Sequence, residues 1–194
     1  KIVSVVGTSA GSIVAGFMFA TAFLSMWISN TATTIMMFAV GISVIGFIGE
    51  KAPDKSMVRN FGVALMLGIA YSASIGGVGT LIGTPPNIVF SGIFEKYFPT
   101  LPTLSFVNWM FLILPLSLIL FILIWMYLSF IFLKTDPGSK MTSRQIFDQK
   151  YRELGKISVH EKGVLIVFFL TAALWIFRSD IQLNIFTIPG WPGI

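Results

Sequence analysis

Ser25, Ser29, Asn30 and Thr31 are the residues of this chain best equipped for chemistry, and they lie in an apolar stretch without charge. From Ile2 to Gly49 there is no Asp, Glu, Lys, Arg or His. Ser25 and Ser29 are four apart, which puts them on one face of a helix that leads into Asn30 and Thr31. Two hydroxyls and an amide carbonyl are neutral oxygen ligands of the kind that suits a hard cation such as Na+. The Asn30 amide N–H groups and the Thr31 hydroxyl can also donate to an anion. A polar group left without a partner in hydrocarbon costs on the order of 2–7 kcal/mol. The cluster must therefore satisfy its own backbone, hold helices together or bind a ligand. Taken alone, it leaves helix packing as open as binding.

A second segment narrows the choice. Gly76-Gly77-Val78-Gly79-Thr80-Leu81-Ile82-Gly83-Thr84-Pro85-Pro86-Asn87 sets glycines and two prolines in what is otherwise a membrane helix. Pro85 and Pro86 have no N–H, so the carbonyls of Leu81 and Ile82 lose their helical donors. Proline also drives its predecessor, Thr84, out of helical geometry. The expected result is an unwound loop over 76–84, then a half-helix with Thr84 as N-cap and Pro85 at its first position. Free loop carbonyls can hold a cation, and the restarted helix N-terminus favours an anion. The glycine run is no dinucleotide loop, because no strand precedes it and its last spacing is off by one.

The elements that must position these residues are apolar. The chain is 55% hydrophobic and 11% charged, with mean hydropathy +0.87. Besides Ile2–Gly49, the stretches Asn60–Phe94, Tyr97–Leu133 and Gly163–Phe177 carry no charge. A helix needs about 20 mostly apolar residues to cross a bilayer. The fold class is thus all-α, a polytopic helical membrane protein. Seven of the 13 basic residues fall between Lys134 and Lys162, beside Asp136, Asp148, Glu153 and Glu161, and Lys51, Lys55 and Arg59 cluster after the first stretch. This is the positive-inside pattern of membrane loops rather than a nucleic-acid surface. There is no cysteine, which removes disulfides and thiolate metal sites. His160 lies in the basic loop, and the apolar region has no nucleophile–base or acid–base pair. An enzyme therefore has no residues to stand on here, nor does a proton relay.

The resulting layout has eight parts. Residues 1–11 end a preceding helix. Residues 12–49 are too long for one span and short for two, and their middle is Ser29-Asn30-Thr31 without a charged turn. They are read as a re-entrant hairpin, allowed only where its tip is buried in protein or lines a watery cavity. Residues 50–59 form a cytoplasmic loop, 60–98 a broken transmembrane helix, and 107–133 a transmembrane helix. Residues 134–162 form a cytoplasmic amphipathic linker, 163–178 a transmembrane helix that starts the second repeat and 179–194 a segment on the outer side. Two discontinuous elements side by side are the sequence mark of a secondary-transporter site. The chain opens at Lys1 and stops at Pro192-Gly193-Ile194, beside apolar segments, so it is expected to be an N-terminal-half fragment.

Ala22-Phe23-Leu24-Ser25-Met26-Trp27-Ile28-Ser29-Asn30-Thr31-Ala32-Thr33, together with Gly83-Thr84-Pro85-Pro86-Asn87, closely resembles the divalent anion/sodium symporter family. That family includes dicarboxylate, citrate and sulfate transporters. The resemblance runs over essentially the whole chain, and the pair of motifs in this order is far more specific than Ser-Asn-Thr alone. It implies an elevator-type, Na+-coupled homodimeric symporter in the plasma membrane. Two inverted repeats would each supply a re-entrant hairpin and an unwound helix. Ser25, Ser29, Asn30 and a glycine-loop carbonyl, Gly79 or a neighbour, match the Na+ site. Asn30, Thr31, Thr84, Pro85 and Pro86 match the substrate contacts, with C4-dicarboxylates such as succinate, malate or fumarate as expected substrates. No organic cofactor is implied, and the lipid bilayer is the remaining partner. A Na+-independent dicarboxylate or citrate exchanger, or a sulfate transporter, fits the same scaffold. No second Ser-Asn-Thr and no second Thr-Pro follow Asn87, so the other half-site is expected beyond Ile194.

Overall fold

A computed structural model of the chain describes residues 9–50, 54–133, 157–178, 181–182 and 187–191. The expected helix end at 1–11 lies outside these residues up to Thr8, as does the linker over 134–156. Six helices follow in order: α1 Ala10–Ser25, α2 Asn30–Gly49, α3 Lys55–Val78, α4 Pro85–Tyr97, α5 Phe106–Phe132 and α6 Val159–Ile176. A two-residue antiparallel pair, Ile181–Gln182 with Thr187–Ile188, is the only sheet among the described residues. The fold is all-α, and α2, α3, α5 and α6 are each long and apolar enough to cross a bilayer.

Five of the six helices start where a short polar side chain caps them. Ser9, Ser29, Asp54, Ser105 and Ser158 accept a first-turn N–H at α1, α2, α3, α5 and α6. Such caps satisfy donors that have no helical partner. Ser158 and Glu161 complete a reciprocal capping box, so α6 begins ahead of the apolar run from Gly163. Asp54 likewise starts α3 at Lys55, so Lys55–Arg59 are helical rather than loop. Its carboxyl is held below its usual range, chiefly by the Ser56 hydroxyl and then by the Ser56 N–H.

Helix α3 is the central element, because glycines at its contacts let both α1 and α2 close on it. Gly68 and Gly76 face α1, and Thr80 follows just beyond the end of α3. A Cβ on Gly68 would press on Met18 and Val14, and one on Gly76 would overlap the Ala22 backbone. The Thr80 hydroxyl donates to the Met26 carbonyl. The other face meets α2, where Ile45 sits over Gly62, and Gly41 receives Met66 and Ile69. Stripes of small residues let helix backbones approach closely inside a membrane. These contacts run α1 parallel to α3 and α2 antiparallel to both. Helices α1 and α2 therefore form a hairpin, its tip beside the C-terminal end of α3. Helix α5 returns alongside, with Gly11 against Ser129 and Gly79 against Leu114. The core where α1, α2, α3 and α5 meet includes Ile13, Met18, Ile48, Phe61, Leu65 and Leu128. Trp27 at the tip packs on Phe106 of α5 at 6.1 Å and on Phe168 of α6 at 6.0 Å.

Candidate functional site

The hairpin turns over Met26–Ser29, one step earlier than the Ser29-Asn30-Thr31 tip read from the sequence. The reason is local: Ser29 caps α2, its Oγ accepting from Ala32 N at 3.3 Å, so Asn30 and Thr31 fall in the first helical turn. Helix α3 also outlasts the expected break. Gly76, Gly77 and Val78 stay helical, and the unwound segment is confined to 79–84. Thr84 then adopts an extended conformation as the N-cap of α4, with Pro85 and Pro86 opening that helix.

Two of the expected site residues are brought into direct contact. The fully buried Ser25 hydroxyl lies 2.6 Å from Asn30 Oδ1 and 2.7 Å from the Ala73 carbonyl oxygen. A serine has one proton to donate. It can serve only one of these acceptors at a time, so one of the two close oxygen pairs has no proton between them. Three oxygens thus converge from α1, α2 and α3. Among the described residues no group of His, Cys, Asp and Glu is placed to hold a metal ion. Neutral oxygens are the available ligand chemistry.

Asn30 also rests on Gly77, where a Cβ would overlap its amide group, and Gly83 in turn presses on the Gly77 backbone. The N-terminus of α2 and the approach to α4 therefore meet at one glycine. Ser29 and Thr31 are exposed, Asn30 and Thr84 half-buried, and Pro85 and Pro86 exposed. Gly79 faces Met26, Leu114 and the Gly76 carbonyl. The N-terminus of α4 is short of donors. Pro85 and Pro86 have no N–H, and the Asn87 N–H is bonded to the Thr84 carbonyl at 3.1 Å. Helix α2, by contrast, has first-turn N–H groups at Asn30 and Thr31 with no helical carbonyl to meet.

The break carries one functional candidate that the residue types alone did not single out, Asn87, and two further side chains, Trp109 and Thr80, that brace the same segment. Buried Asn87 donates through Nδ2 to the carbonyls of Gly77 at 2.9 Å and Thr80 at 2.7 Å. Trp109 of α5 donates to the Val78 carbonyl at 2.9 Å. Thr80 accepts from Gly83 N at 3.0 Å while its own proton goes to Met26. Several loop carbonyls are thus engaged by neighbouring side chains, and the carbonyl that reaches the Ser25–Asn30 pair is that of Ala73. The available signal was an asparagine directly after two prolines, a polar group with no reason to be exposed. Thr33 and Ser72 are fully buried, and their hydroxyls have no partner.

The citrate transporter family model matches residues 1–188. The chain is 40% identical over 184 residues to the sodium-dependent dicarboxylate transporter SdcS of Staphylococcus saprophyticus, covering 92% of this chain and 35% of that protein. It is 36% identical over 181 residues to the protein of the same name from Staphylococcus aureus strain USA300, covering 92% and 34%. The chain therefore spans about a third of the length of these curated relatives. The family is one of transporters, not enzymes, and with its apolar helices this places the chain in the plasma membrane as an integral protein. Matched along nearly its whole length and carrying both motifs of the divalent anion/sodium symporters, the chain belongs to the citrate transporter family.

Proposed function

We propose that this chain supplies the cation-binding half of a Na+-coupled symporter for divalent anions, with C4-dicarboxylates such as succinate, malate and fumarate as the preferred cargo. The observation that carries this reading is the Ser25 hydroxyl set between two acceptor oxygens with one proton to give. Na+ between Ser25 Oγ, Asn30 Oδ1 and the Ala73 carbonyl relieves that oxygen crowding with the ligand type a hard cation prefers. Ser29 contributes as the cap that sets the Asn30 orientation, and Gly79 by opening the unwound segment beside Met26.

The anion side follows from charge. No Lys, Arg or His occurs over Ile2–Gly49 or Asn60–Phe94, so these two stretches offer a dianion no fixed cation. The bound Na+ is then the main positive charge beside the substrate, and a unit charge a few ångströms away is worth several kcal/mol at an effective dielectric of about 20. The α2 N-terminus, with the N–H groups of Asn30 and Thr31 and the Thr31 hydroxyl, adds dipole and donors. Thr84 contributes its hydroxyl at the α4 N-terminus, while Pro85 and Pro86 hold that end open. Anion binding that leans on a mobile cation is the physical basis of symport, and it favours this reading over Na+-independent exchange.

The re-entrant hairpin and the homodimeric elevator are part of this proposal through the resemblance of the two motifs to the divalent anion/sodium symporters. Met26 and Gly79 sit beside Leu114, eight residues inside the end of α5 at Phe106, or about 12 Å along a helix of about 40 Å. Met26 thus lies at that depth, while its neighbour Trp27 reaches the Phe106 end of α5, with ring centroids 6.1 Å apart.

The test is uptake of radiolabelled succinate by the full-length protein in proteoliposomes. Uptake should collapse when Na+ is replaced by choline. Uptake unchanged by that replacement would overturn the symport reading in favour of exchange.

A further inference from the structure

Between the cation cluster and the N-terminus of α4 there is one continuous hydrogen-bonded and packed connection, and Asn87 is its keystone. The residue is 6% exposed. Both amide protons are used across the break, one on Gly77 at the end of α3 and one on Thr80 in the unwound segment. The backbone of Gly77 is in turn the surface on which Asn30 rests, and Asn30 meets Ser25 at 2.6 Å. Asn87 itself sits in the first turn of α4, three residues from the Thr84 N-cap.

Resting on the symport reading above, we propose that Asn87 is the positioning residue that couples cation and anion binding in this half-site. Bound Na+ fixes Asn30 against Gly77. The Gly77 carbonyl, gripped by Asn87, then fixes the α4 N-terminus where Thr84 faces the substrate. Asparagine suits this role because one planar amide provides two donors that diverge toward two carbonyls. Packed side chains and hydrogen bonds carry coupling between sites only where both sites bias the same element. Here that element is the 77–87 break. Trp109 provides an internal comparison: it also holds the break, donating to the Val78 carbonyl, and its ring packs on Phe90 of α4 at 5.9 Å, a contact that Trp109→Phe keeps in kind, but it has no hydrogen bond to Gly77.

The experiment uses the full-length protein, reconstituted for uptake and purified for binding of Na+ and succinate. Asn87→Leu, which keeps size and removes both donors, should raise the Na+ half-saturation at least about fivefold, the lower end of ordinary coupling. It should also shrink the factor by which Na+ improves succinate affinity. Asn87→Gln should recover part of both. Trp109→Phe should leave both near wild type while lowering thermal stability. Wild-type Na+ half-saturation and coupling in Asn87→Leu would overturn the proposal, and so would equal shifts in Trp109→Phe. Should Asn87→Leu fail to give monodisperse protein, Asn87→Ser decides: one donor predicts an intermediate shift, and wild-type values overturn the role. A wild-type protein that ignores Na+ would instead remove the symport reading itself, which the wild type shows before any variant is made.

Discussion

Asn30 lies on Gly77 so closely that a Cβ at position 77 would overlap its amide group. The polar tip of the hairpin and the end of α3 are therefore matched by shape as well as by hydrogen bonds. Gly77→Ala should displace Asn30 from Ser25 and destabilise the protein by about 1–3 kcal/mol, as overpacking does. Gly92→Ala, with open space around its Cβ position in α4, should be neutral or stabilise by up to about 1 kcal/mol. Thermal unfolding of the two purified variants compares them, and equal stability would contradict the packing described here.

Asn30→Ala should abolish transport, because one side chain serves as cation ligand and as substrate neighbour. Uptake assays on equal amounts of reconstituted protein test this. Wild-type uptake in that variant would refute the assignment.

Ser25→Ala should act on the cation alone. The variant should need a higher Na+ concentration for half-maximal uptake, with succinate affinity at saturating Na+ close to wild type. A change in succinate affinity at saturating Na+ would show that Ser25 touches the substrate instead.

Thr33→Val should raise stability by about 1 kcal/mol with transport retained. The Thr33 hydroxyl is fully buried without a partner, and a buried hydroxyl that makes no bond costs about 1–3 kcal/mol in desolvation. Loss of Na+ affinity in this variant would mean that the hydroxyl is a ligand.

Much of this was legible in the sequence because membrane constraints are strong. Charge-free stretches read as helices, and Pro85-Pro86 after a glycine run reads as a break, since proline physically removes helical donors. Ser25 and Asn30 stood out because hydroxyl and amide groups are costly in hydrocarbon. What the residue types did not reveal was three-dimensional pairing. The partner carbonyl is that of Ala73, which any residue could supply from its backbone. Gly77 matters through the volume it does not fill, and Asn87 through the two carbonyls it spans. The persistence of α3 through Gly76–Val78 was also hidden, because local glycine propensity opposes helix there. The close packing of Gly76 on Ala22 and Gly77 on Asn30 overrides it.

The most direct test of the central claim is Na+ binding without substrate. Thermal unfolding of the purified full-length protein should be measured in Na+ and in choline at equal ionic strength, for wild type and Ser25→Ala. A ligand that binds only the folded state raises stability by mass action. The account predicts a higher Tm in Na+ for the wild type and loss of most of that shift in Ser25→Ala. The same Tm in both salts for the wild type, or a wild-type shift in Ser25→Ala, would contradict it.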